Sequence, residues 1–277
     1  MTAKPRARKK QTALATVVAA AAVAGVGLLV GGLLEARDRE LDAEPIAEEE
    51  PSTTASPTTA PTTTTTAPTT TTTLPAAADG KLEAGERGDE VGALQQRLTD
   101  LGYWLGTADG TYGQLTRQAV MAFQKAQGLS RDGIAGAATL AALDAASRPA
   151  PRLPSGSHLE IDLARQLLLV VEGGQTRYVL NTSTGNGEAY ANPGGGTAVA
   201  TTPAGTFSIY RQIDGLREAP LGTLYRPKYF TGGIAIHGSG SIPAHPASHG
   251  CARLTNSAMD LLWSSGLANV GTPVHVY

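Results

Sequence analysis

The chain has 277 residues and a formal net charge of −2, with 41% hydrophobic and only 17% charged residues. With 33 Gly, 17 Pro and a dense Thr tract, much of it is turn or connection, so the packed part is shorter than the chain and divides into two small domains. The charge balance gives no nucleic-acid footprint, and the single cysteine, Cys251, excludes an internal disulfide framework and any multi-cysteine metal centre.

Lys4, Arg6, Arg8, Lys9 and Lys10 form a basic cytoplasmic tail, residues 1–10, ahead of an uncharged stretch over residues 11–34 rich in Ala, Val, Leu and Gly. That stretch is long enough to cross the ~30 Å hydrocarbon core as a helix. The Lys/Arg bias predicts a single-pass membrane protein of the cell envelope with its C-terminal domains outside. Leu33-Leu34-Glu35-Ala36 is a poor cleavage site, which favours a transmembrane anchor; secretion after signal-peptide cleavage is the alternative. Residues 35–80 turn acidic at Glu48, Glu49 and Glu50 and then into Thr/Pro/Ala low complexity. Such a composition has too little apolar surface to offset ordering entropy, and predicts a disordered linker with a reach on the order of 100 Å.

Residues 81–145 predict a small all-α module. Val91, Leu94, Leu98 and Leu101 recur at helical spacing before Gly102; Thr116, Val120 and Phe123 share a face before Gly128; Ile134, Leu140 and Leu143 mark a third helix. Asp109-Gly110-Thr111-Tyr112-Gly113-Gln114-Leu115-Thr116 and Asp132-Gly133-Ile134-Ala135-Gly136-Ala137-Ala138-Thr139 repeat the pattern D-G-x-x-G-x-x-T, each before a helix. Together with Gly88-Asp89-Glu90-Val91, Leu101-Gly102-Tyr103 and Ala119-Val120-Met121-Ala122-Phe123-Gln124, these turns resemble the three-helix peptidoglycan-binding domain. The resemblance implies docking to the cell wall, with peptidoglycan as partner.

After a linker at residues 146–155, the period changes to two. Leu159, Ile161 and Leu163 alternate with polar neighbours; Gln166 to Val171, Thr176 to Leu180, Thr206 to Tyr210, Gly233 to His237 and Pro273 to Tyr277 continue the strand signal. One helix interrupts them, with Asn256 as its cap, Met259, Leu262 and Trp263 on one face and Gly266 at its end. Residues 156–277 therefore predict a mostly β domain with a short helix.

The chemistry concentrates where His237-Gly238 closes a strand and Ser248-His249-Gly250-Cys251-Ala252-Arg253-Leu254 follows. A cysteine nucleophile needs thiolate character, and an adjacent imidazole supplies it by lowering a thiol's pKa of about 8.5. Cys251 is the candidate nucleophile and His237 its base. Gly250 keeps the turn free of a side chain, so that the Gly250 and Cys251 N–H groups can point at one developing oxyanion. Competing readings are a small buried hydrophobe for Cys251, a metal site from His237, His245, His249 and Cys251, and an ordinary surface ion-pair role for Arg253.

Thr202-Pro203-Ala204-Gly205-Thr206-Phe207, Ile234-Ala235-Ile236-His237-Gly238 and the Ser248 to Leu254 run closely resemble the L,D-transpeptidase catalytic domain, also called YkuD-type. The resemblance implies that Cys251 attacks a peptidoglycan stem tetrapeptide, releases D-alanine and carries the stem as a thioester to an amine acceptor. It also implies His237 as general base and acid, Ser248, His249 and Gly250 as loop and oxyanion support, and Arg253, Gly238 and Tyr229 against substrate. No metal or organic cofactor is implied, and carbapenem-type β-lactams are expected to acylate Cys251. An L,D-carboxypeptidase of the same fold and a non-catalytic wall-binding anchor protein are the alternatives.

Overall fold

The structure, a computed structural model, describes residues 80–277. The expected anchor at residues 11–34 and almost all of the acidic and Thr/Pro linker lie outside the described residues. No described helix is long and apolar enough to cross a membrane.

The first helices are α1 (Asp89–Asp100), α2 (Gln114–Gln127) and α3 (Ala137–Ala145). Val91, Leu94 and Leu98 of α1, Val120 and Phe123 of α2 and Leu143 of α3 meet in one core, as the spacing predicts. The repeated loops have a cause that the repeat itself did not name. Gln95 Nε2 donates to Asp109 Oδ1 (3.0 Å), Thr111 O (3.0 Å) and Thr116 Oγ1 (2.9 Å), and its Oε1 accepts from Gly110 N at 2.8 Å. Gln124 does the same one helix later, reaching Asp132 Oδ1 (2.7 Å), Ile134 O (2.9 Å) and Thr139 Oγ1 (3.2 Å) and accepting from Gly133 N at 2.8 Å. Each D-G-x-x-G-x-x-T loop is therefore wrapped around a buried amide that satisfies the loop's polar groups.

The β part runs β1 (His158–Asp162), β2 (Leu167–Glu172), β3 (Gln175–Asn181), β4 (Ala189–Ala191), β5 (Thr197–Val199), β6 (Gly205–Ser208), β7 (Arg211–Gln212), β8 (Leu216–Ala219), β9 (Gly222–Thr231), β10 (Ile234–Gly238), β11 (Ala252–Leu254), α4 (Asn256–Ser264) and β12 (Pro273–Val276). One sheet has the order β3-β2-β1-β12-β6 and a second the order β11-β10-β9-β7, with β8 paired to β9 and a separate β4-β5 hairpin. The sequence pattern found β1, β2, β3, β6, β10 and β12 but not β9. That strand's charged and Pro-containing run, Arg226-Pro227-Lys228, breaks any alternation. The helix cap is Thr255, whose hydroxyl accepts from Ala258 N at 3.1 Å, not Asn256.

Strand β2 explains the layering. Leu167, Leu169 and Val171 point to one side and join the helical core with Val179 of β3. Leu168 and Val170 point to the other side and join Leu159, Ile161, Ile236, Leu262 and Val274 in a second core. The helical bundle, the first sheet, and the second sheet with α4 thus stack as three layers. The exposed edge of β3 is covered as well, since Val179 N donates to Gly102 O (2.8 Å) and Trp104 N to Val179 O (3.3 Å). The 146–155 connection is pinned along its length: Arg148 donates to Asp100 O (2.7 Å), and the Arg152 and Leu153 amides donate to the buried Glu160 carboxylate at 2.9 and 2.8 Å.

Because bundle and sheet share a core, denaturant should unfold residues 80–277 in one transition. Gln124→Leu, which strands the Gly133 amide and the Thr139 hydroxyl, should shift that transition by roughly 1–3 kcal/mol. Two separate transitions in urea, followed by circular dichroism, would contradict the shared core.

Candidate active site

An edge strand of the second sheet and its neighbour set the geometry. β10 and β11 run parallel with Ile236 opposite Ala252 and His237 opposite Arg253. One step back, Ala235 faces Cys251, and its N–H donates to Cys251 Sγ at 3.4 Å. Side chains alternate along strands, so His237 and Cys251 share one face as diagonal neighbours, with Arg253 beside His237 on that face. Three residue types separated in sequence thereby open onto one cleft of about 790 Å³.

His237 is fixed in one orientation. Its Nδ1 lies 2.9 Å from Gly238 O, which places the ring proton on Nδ1 and leaves Nε2 as the proton acceptor. Burial holds the His237 pKa below the ordinary imidazole value, with Gly238 O opposing and the Arg253 charge assisting. Burial pushes the Cys251 thiol up, against the smaller downward effects of the Ala235 N–H and Arg253. Burial thus acts on both groups in the direction of their neutral forms, opposite to the effect that an adjacent imidazolium would have on the thiol.

The turn before Cys251 is built differently from the sequence-based picture. Gly250 N donates to Ser248 Oγ at 3.0 Å, and Ser248 Oγ donates to Cys251 O at 2.6 Å. The Gly250 amide is thus engaged within the loop, and of the two amides expected at an oxyanion only that of Cys251 remains a candidate. Gly250 is needed for another reason. Its φ is +136°, and a Cβ there would stand 2.9 Å from Thr201 O, so backbone packs on backbone. Thr202 Oγ1 clamps the same turn by donating to Gly250 O at 2.6 Å while accepting from Gly185 N at 2.9 Å.

His249 is exposed in the cleft and packs edge-on against Tyr190 of β4, with ring centroids 4.7 Å apart. Tyr229 is a cleft wall that also carries Arg211, whose guanidinium lies 4.5 Å from the ring centroid. Gly238 does not line the cleft: it is buried against Asn256 and Tyr225, and its part is to hold His237. His245 is exposed outside the cleft, and among the described residues no three His, Cys, Asp or Glu side chains gather at metal-binding spacing.

Two cleft residues were missed in the sequence. Arg211 and Arg217, from the β7 and β8 strands, join Arg253 as the charged side chains of the cleft, and among the described residues no carboxylate lines it. Both stand in a short-stranded, Gly-bounded stretch whose only signal was basic charge among polar residues.

The L,D-transpeptidase catalytic domain family matches residues 156–276, and the peptidoglycan binding domain family matches residues 87–143. The crystal structure of an L,D-transpeptidase from Xylanimonas cellulosilytica DSM 15894 is 54% identical, with a TM-score of 0.69, and the match covers 73% of this chain and 99% of that one. The chain belongs to the L,D-transpeptidase family.

Curated relatives match a shorter stretch. The N-acetylmuramoyl-L-alanine amidase CwlM of Mycobacterium tuberculosis is 48% identical over 56 residues, 20% of this chain and 14% of that protein. The amidase CwlL of Bacillus licheniformis is 48% identical over 66 residues, 23% and 18% of the two chains. The chain therefore spans less than a fifth of these amidases. Its helical bundle belongs to a peptidoglycan binding domain, and its β layers to the L,D-transpeptidase fold.

The burial of this pair in an L,D-transpeptidase fold makes a pH prediction. Alkylation of Cys251 by iodoacetamide, which reports thiolate, should rise with a midpoint above that of the same thiol in the unfolded chain, and the His237 ring should titrate below 6.5 by NMR. Since the folded His237 pKa lies below its unfolded value, its contribution to stability is complete above about 6.5 and is lost as pH falls through the folded value. A thiol midpoint below that of the unfolded chain would contradict the dominance of burial.

Proposed function

We propose that this protein is a cell-wall L,D-transpeptidase that forms peptidoglycan cross-links through a thioester on Cys251. The observation that carries the reading is that Cys251, His237 and Arg253 open onto one cleft in a chain of this family.

Cys251 Sγ attacks the stem-tetrapeptide carbonyl while His237 Nε2 takes the thiol proton. The C–S bond forms, the negative charge on the carbonyl oxygen faces the Cys251 N–H, and the C–N bond to D-alanine breaks as His237 returns the proton to the leaving amine. An acceptor amine then attacks the thioester, gives its proton through His237 and restores the thiol. Proton transfer concerted with attack suits groups whose neutral forms burial favours, because the charges that develop are the imidazolium and the carbonyl oxyanion and not a free thiolate. Three guanidinium groups and, among the described residues, no carboxylate in the cleft support an anionic peptide as the occupant.

The peptidoglycan-binding bundle would hold the enzyme at its polymer. Residues 11–34 would anchor it in the membrane and residues 35–80 would give it reach, a reading that rests on composition alone.

The test is intact-protein mass spectrometry of residues 80–277 with a carbapenem, and separately with a stem tetrapeptide plus an amine acceptor, beside Cys251→Ala. A single carbapenem adduct absent from Cys251→Ala, with a cross-linked product, is the expected outcome. Tripeptide without cross-link would make it an L,D-carboxypeptidase, and no adduct on folded protein would leave a wall-binding anchor protein.

A further inference from the structure

The molecule holds a buried charge for which the proposed chemistry has no use. Lys125, on the α2 face turned to the first sheet, is only 1% exposed. Its Nζ donates to three oxygens of the β part and to none of its own bundle: Gln166 O (3.0 Å), Thr182 O (2.9 Å) and Asn181 Oδ1. An ammonium has three N–H donors, so this cage matches the charged form. Burial, with the nearby Arg131 charge, draws Lys125 down to about 7.

What those oxygens belong to is the point. The segment at residues 181–185 continues β3, and its far side carries the nucleophile loop. Thr182 Oγ1 donates to Arg253 O (2.9 Å), Arg253 N to Ser183 O (3.0 Å), and Ser183 Oγ to His245 O (2.8 Å). The Ala247 and Ser248 amides both donate to Thr184 O at 2.9 Å. Gln166 ties the segment from below, its Oε1 accepting from Thr184 N at 2.8 Å, and it does so from a left-handed φ of 61° that non-glycine residues rarely adopt. A held, unfavourable backbone at the point where a buried cation docks marks a joint whose geometry is fixed from both sides.

We infer that Lys125 is a positioning residue for the reaction: through Thr182 and its neighbours it sets the loop that carries Cys251 and Arg253, so the helical module takes part in assembling the active site. The inference rests on the reading of Cys251 as the nucleophile. It gives the wall-binding bundle a second task, because any strain in α2 is one hydrogen bond away from the strand that supports the loop.

The experiment is the rate of carbapenem acylation in the full-length protein, followed by intact mass and expressed per folded molecule from near-ultraviolet circular dichroism. Lys125→Met and Thr182→Val should each lower the maximal acylation rate roughly ten- to hundred-fold, as expected for a small displacement of a reacting group. The half-saturating carbapenem concentration should change by less than about threefold, since a positioning defect falls on the chemical step. Leu143→Ala, a core truncation in α3 that removes none of the joint's hydrogen bonds, should lose thermal stability and keep the wild-type rate. Wild-type rates in both Lys125→Met and Thr182→Val would overturn the inference, and so would an equal slowing in Leu143→Ala. If Lys125→Met does not fold, Asn181→Ala, which removes the side-chain oxygen that Lys125 donates to, takes its place with the same expected slowing. Absence of any adduct on wild type would instead defeat the reading of Cys251, and the inference with it.

Discussion

A strand with two apolar faces has to be covered on both. β2 carries five consecutive aliphatic residues, Leu167 to Val171, and the alternation of side chains sends them to two different cores. Everything else in the described chain answers that demand. The second sheet and α4 cover one face, and the three-helix bundle covers the other, so a module that resembles an independent binding domain serves as a wall of the catalytic fold. The pinned 146–155 connection and the strand-like pairing of residues 102–104 with Val179 follow from the same closeness.

At the site, the same burial that makes the layers also sets the chemistry. Taking Cys251 and His237 out of water favours their neutral forms, and the orienting contact from Gly238 then decides which imidazole nitrogen is left to accept a proton. A thiol held in its protonated form is also less open to oxidation than a thiolate, which matters for a single cysteine outside the reducing cytosol, where the proposed localisation puts it. The arginines add the complementary part: charge for an anionic ligand, two of them, Arg211 and Arg217, placed on strands away from the nucleophile's own segment.

Much of this was legible in the sequence, and the failures have physical causes. Helical period and D-G-x-x-G-x-x-T loops marked the bundle because cores and turns obey local rules, yet Gln95 and Gln124 went unread, since a buried amide in a helix looks like any surface glutamine until its loop is folded around it. The His and Cys segments showed the site because their residue types are rare and their Gly neighbours restrictive. The engaged Gly250 amide could not be read, because it depends on the Ser248 rotamer. Arg211 and Arg217 were hidden by short strands, and Lys125 by a helix face that the period alone assigns without saying what packs on it.

The joint between the layers also bears on how such a chain can change over generations. The two Gln-centred loops are satisfied within the bundle and share the pattern D-G-x-x-G-x-x-T. The α2 face is different, because Lys125 is matched to Asn181, Thr182 and Gln166. A bundle brought in by recombination from another protein would arrive without those matching residues and leave either a lone buried cation or three unmet oxygens. The two halves are therefore constrained to diverge together, as one heritable unit, although each looks in sequence like a freely exchangeable domain.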